Sequence, residues 1–115
     1  MTFEEFCIEN GKKEKPHSGK RAYRYSHGMA GTRLYEIWSG MKIRTSEKAH
    51  PHTKVAYFDR GIRVCEEWER FEPFLFWAYI SGYKKDLTID RIDVNKGYSP
   101  ENCRWVPLKW QNNNK

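Results

Sequence analysis

The chain has 115 residues, a net charge of +6, 31% charged residues and 16% aromatic residues. That length accommodates one domain and excludes a second sizeable core, while the aromatic share suffices for a small dense one. No apolar run reads as a membrane span, the acidic start MTFEEFCIEN lacks the bases of a signal peptide, and Cys7, Cys65 and Cys103 are too scattered for a disulfide framework. A soluble cytoplasmic protein with reduced thiols and no membrane partner is expected.

In chain order, Thr2–Glu9 reads as a short helix, followed by a polar arm rich in Gly and Lys that runs to Gly31. Positive charge gathers in this half: residues 1–54 carry 11 Lys/Arg against 6 Asp/Glu, and residues 55–115 carry 10 against 9. Lys12, Lys13, Lys15, Lys20, Arg21 and Arg24 stand in the arm against Glu14 alone, with Tyr23 and Tyr25 interleaved. Such a cluster suits contact with nucleic-acid phosphates through counterion release. The alternative is a solvated arm that keeps the protein soluble.

Thr32 is a candidate N-cap for a helix over Arg33–Arg44, where Leu34, Ile37, Trp38 and Met41 recur at helical spacing. Gly40 weakens that helix without vetoing it. Thr45–Asp59 reads as a loop containing His50-Pro51-His52, and Gly61–Cys65 alternates like a short strand. An acidic run of Glu66, Glu67, Glu69 and Glu72 surrounds Trp68 and Phe71. Pro73 opens or kinks a helix that carries Phe74, Trp77 and Tyr79 to Gly82, a natural helix stop. This aromatic stripe reads as core, with Trp68, Phe71, Trp77 and Trp105 packed together.

The last quarter, LTIDRIDVNKGYSPENCRWVPLKWQNNN, reads as strand, turn-rich loop, short strand and helix, with polar side chains at the joints. Together with RLYEIWSGMK and RGIRVCEEWERFEPFLFW upstream, this block resembles the HNH (ββα-metal) endonuclease family, specifically small phage-type members with an IDRID…NCRW block. The resemblance covers roughly Arg33 to Asn113. It implies an α+β fold: a single small domain with N-terminal helices packed on a C-terminal ββα-metal unit. The division is a basic arm with a short helix at 1–31 and an HNH-like domain at 32–115, helical over 32–84 and ββα over 85–115.

Carried over residue by residue, the resemblance gives Asp90 and, from the helix, Asn112 as ligands of one Mg2+ or Mn2+. Arg91 falls where the family commonly has a general-base His, and Asn102 falls at the loop position that steadies that base. Arg91 and Arg104 join the arm as candidate nucleic-acid contacts, with DNA as the partner. Family members often carry a Cys near Thr45 and a Gly where Asp59 stands, so this chain departs from the pattern at both places.

A guanidinium stays protonated and cannot take a proton from water. Three readings of Arg91 follow: a base from elsewhere (His27, His50, His52 or Asp93), slow attack by metal-bound water, or a phosphate-gripping site without cleavage. The implied function is divalent-metal-dependent hydrolysis of DNA phosphodiesters. The alternative is a catalytically degenerate DNA- or protein-binding module, such as a phage-encoded inhibitor of a host defence system. Asp93 and Asn95 equally suit a tight turn. Zinc on Cys65, Cys103 and His50 or His52 is not expected, because no C-x-x-C pair exists.

Overall fold

Two antiparallel strands and the aromatic face of one helix organise this chain. The computed structural model describes residues 1–11 and 32–113, with only the backbone of 111–113. Its elements are α1 (Phe3–Asn10), α2 (Arg33–Arg44), α3 (Pro51–Ala56), a 3-10 turn at Glu66–Glu69, α4 (Phe71–Ile80), β1 (Leu87–Arg91), β2 (Cys103–Pro107) and α5 (Leu108–Asn113). The class is therefore α+β.

Local chemistry explains most element ends. Thr2 and Glu5 form a reciprocal capping box at α1, with the Glu5 amide donating to Thr2 Oγ1 at 3.1 Å and the Thr2 amide to Glu5 Oε1 at 2.9 Å. Thr32 accepts from the Tyr35 amide at 3.2 Å and opens α2 as expected. Helix α4 begins two residues before Pro73, which sits in its first turn, where the missing N–H has no helical acceptor anyway. It ends where Gly82 takes φ 88° and the Tyr83 amide returns to the Ala78 carbonyl at 3.0 Å.

The core runs along α4. Trp68, Phe71, Phe74, Leu75 and Ala78 are buried there with Leu34 and Met41 of α2. Trp68 stacks at an angle on Trp77 (4.9 Å between centroids) and Trp77 on Trp105 (5.4 Å), which links the helices to β2. Trp68 and Phe71 are buried, whereas Trp77 and Trp105 are half-buried. The Trp105 indole N–H donates to Ser81 Oγ at 2.8 Å, pinning β2 to the end of α4. Helix α1 shares this core: Phe6 is buried against Tyr79 and Tyr83.

Two expectations are corrected. Thr45–Asp59 is not all loop, because Pro51 occupies the first turn of α3 and His50 caps it, accepting from the His52 amide at 3.2 Å. Gly61–Cys65 is not a strand. Gly61 turns at φ 81°, and only Val64 pairs, in parallel, with Tyr98. That pairing brings Gly97 onto the Arg63 backbone so closely that a Cβ at 97 would collide with the carbonyl oxygen.

Candidate functional site

Strand β1 pairs with β2 in the register Asp90↔Arg104 and Arg91↔Cys103. The Arg104 Nε donates to Asp90 Oδ2 at 2.9 Å, a direct cross-strand ion pair in which Asp90 keeps about a quarter of its side chain exposed (24%). Arg104 also lies over the Trp110 ring, 5.3 Å from its centroid. Beyond β1 the chain turns sharply. Asp93 Oδ1 accepts from the Asn95 amide at 3.0 Å, the self-bonded turn that those residue types favour.

Asn102 clips that turn. Its amide donates to the carbonyls of Asp93 (3.1 Å) and Gly97 (2.8 Å), and its oxygen accepts from the Asp93 N–H at 2.9 Å. The side chain is buried, so its polar capacity goes to holding the β1–β2 loop. Arg60 secures the same loop from outside, donating to Asn95 Oδ1 at 2.8 Å and to the Val94 carbonyl at 3.2 Å.

Arg91 folds over the turn it precedes. Nη1 donates to the carbonyls of Val94 (2.7 Å) and Lys96 (2.9 Å), while the guanidinium carbon lies 5.2 Å from the Tyr57 centroid and 5.4 Å from that of Tyr98. Asp90 and Arg91 both line a cleft of about 540 Å3 between α2, Tyr57, β1 and the start of α5. Arg44, from the last turn of α2, reaches the same cleft and donates to the Tyr98 hydroxyl from Nη2 at 3.2 Å and Nε at 3.4 Å. Burial pushes the Tyr98 hydroxyl above its ordinary range, against the lowering effect of Arg44, so it is a neutral O–H at physiological pH.

The candidate residues thus divide. Asp90, Arg91 and Arg104 sit around one strand end, with Asn102 supporting the loop beside them. Asn112 lies on α5, which packs against both strands, but its side chain is outside the described residues. Lys12, Lys13, Lys15, Lys20, Arg21, Arg24 and His27 also fall outside them. His50 and His52 stack on each other at α3, and no histidine is among the described residues lining the cleft. Asp93 is engaged in its turn. Burial raises the Cys103 thiol to about 12.

Reading the sequence missed Arg44, Tyr57 and Tyr98. Arg44 has the look of an ordinary charge at a helix C-terminus, and Tyr57 lies in a segment without amphipathic pattern. Only the fold brings them to β1. Searches of protein-family models, curated proteins and solved structures found nothing that this chain matches.

Proposed function

We propose that the chain is an HNH-like DNA-binding protein of the small phage type, whose C-terminal ββα unit engages the phosphodiester backbone in the cleft beside β1. The observation that carries this reading is the convergence of Asp90 and Arg91, the family's metal and base positions, on one cleft wall. A fixed cation at the base position binds phosphate and does not abstract protons. Arg104, bonded to Asp90 Oδ2, offsets that carboxylate's negative charge in the cleft wall, which favours phosphate binding there. The six bases of the 12–31 arm would add sequence-independent attraction.

Divalent-metal-dependent cleavage of DNA is the second reading, favoured by the part-exposed Asp90 carboxylate in the cleft wall. Asp90 and Asn112 would hold Mg2+ or Mn2+, hard ions that take oxygen donors and complete their shells with water and phosphate. Such an ion would stabilise charge on a phosphoryl oxygen. Arg91 would orient the phosphate, and Arg104 would yield Asp90 Oδ2.

The test is duplex binding by the full chain in EDTA, followed by plasmid incubation with Mg2+ or Mn2+. Salt-sensitive binding without nicking is expected. Nicking that Asp90→Ala abolishes would establish the endonuclease instead. Absence of binding at low salt would overturn the first reading.

A further inference from the structure

We infer that Arg44 joins Arg91 in a two-guanidinium clamp for a single backbone phosphate of DNA, seated on Tyr57 and Tyr98. The inference rests on the DNA-binding reading and deepens it, since Arg44 lies outside the C-terminal block. The two arginines approach from unrelated elements, the end of α2 and the end of β1, and share the same two rings. The Arg44 guanidinium carbon is 5.9 Å from the Tyr57 centroid and 5.8 Å from that of Tyr98, beside the 5.2 and 5.4 Å of Arg91. Like charges converge this way at a cost unless an anion lies between them or an aromatic face supports them.

Neither arginine has a carboxylate partner among the described residues. The ion pairs there are Lys42–Glu69, Lys54–Asp59, Arg70–Glu72 and Arg104–Asp90. Two carboxylates do line the cleft, those of Glu36 and Asp90. Glu36 is exposed on α2, and Asp90 is bonded to Arg104. The guanidinium donors are spent unevenly. Arg91 uses Nη1 on two loop carbonyls, which holds the group rigidly and leaves the Nε–Nη2 edge for a ligand. Arg44 directs Nε and Nη2 to one hydroxyl, and Tyr98, accepting both, keeps its own hydrogen for an acceptor.

The resulting set is two fixed cations and one hydroxyl donor in a cleft of about 540 Å3, large enough for one nucleotide unit. It offers cationic and hydroxyl donors to the oxygen pair of a phosphodiester, in a cleft whose wall also carries Glu36 and the Arg104-bonded Asp90. The Arg44 guanidinium folds back along its own helix, where a Cβ at Gly40 would lie 3.2 Å from Nη1.

The experiment measures affinity of the full chain for a labelled duplex against salt concentration, for wild type, Arg44→Gln, Arg44→Lys and Lys42→Gln. Lys42 lies on the same helix but bonds to the Glu69 carbonyl, so its variant removes one charge without touching the clamp. Arg44→Gln is expected to weaken binding about tenfold or more and to flatten the salt slope by about 0.9. Arg44→Lys should recover the slope but not the affinity, and Lys42→Gln should stay within about twofold of wild type. In parallel, the Arg44 Nε–Hε resonance of the intact protein should shift on adding duplex, a readout independent of whether the Gln variant folds. Wild-type affinity for Arg44→Gln, an equal loss for Lys42→Gln, or an unmoved Arg44 resonance in DNA-bound protein would overturn the clamp while leaving DNA binding intact. If the wild-type chain binds no duplex at low salt, the DNA-binding reading itself falls, and the clamp with it.

Discussion

Asn102 is the side chain on which the geometry of the site depends most. It makes three hydrogen bonds to the backbone on either side of the 93–97 turn while buried. Replacing it with Ala leaves two carbonyls and an N–H without their partner, so Asn102→Ala should cost about 2–4 kcal/mol in urea denaturation. A loss under about 0.5 kcal/mol would mean that the loop holds without it. Cys103 carries a different signature. Its thiol is raised to about 12 by burial, whereas the unfolded thiol titrates near 9. Above pH 9 the unfolded state therefore binds fewer protons than the folded one, and stability falls as pH rises from about 9 to about 12. Below pH 9 this thiol contributes no slope. Cys103→Ala, though less stable at neutral pH, should lose this thiol's share of the alkaline decline, to which the raised Cys7, Cys65 and Tyr98 also contribute; an unchanged slope would contradict the assignment.

At the scale of elements, the sequence discloses pieces that carry their own punctuation. Thr32 and the Leu34–Met41 spacing mark α2, Gly82 marks the end of α4, and the apolar LTI before Asp90 marks β1. Helix α3 was hidden because six residues opened by a proline bury none of their side chains and show no apolar face. The Val64–Tyr98 bridge was hidden for another reason: parallel contacts across more than thirty residues leave no local pattern. Its trace is Gly97, whose missing Cβ lets the two segments meet. Gly97→Ala should therefore destabilise the fold by about 2–4 kcal/mol, an overpacking cost against rigid backbone. Thermal melting checks it, and a melting temperature within a degree or two of wild type would refute the close approach. Helix α1 also bears weight, since Phe6→Ala removes a buried ring and should cost about 3–5 kcal/mol. Truncations meant to remove the basic arm must therefore spare residues 1–11.

At the scale of the whole molecule, core and cleft share a wall. The aromatic core joins α1, α2, α4 and both strands, and two of its members, Ile89 and Tyr98, also line the cleft that holds Arg44 and Arg91. How Asp90 and Arg91 adjoin was readable from the C-terminal block alone. That Arg44 and Tyr57 complete their cleft was not, because the tertiary packing of α2, including that on α4, sets where its last turn ends. Changing Lys12, Lys13, Lys15, Lys20, Arg21 and Arg24 together to Gln should weaken duplex binding and flatten its salt dependence without lowering the melting temperature. Unchanged affinity would restrict the arm to solubility. The most direct test of the central claim is a 15N-resolved titration of the intact protein with a short duplex in EDTA. Binding in the cleft predicts shifts concentrated on Arg44, Tyr57, Asp90, Arg91 and Tyr98, growing as salt is lowered. Shifts confined to residues 12–31, or spread evenly over the surface with the cleft unmoved, would contradict it.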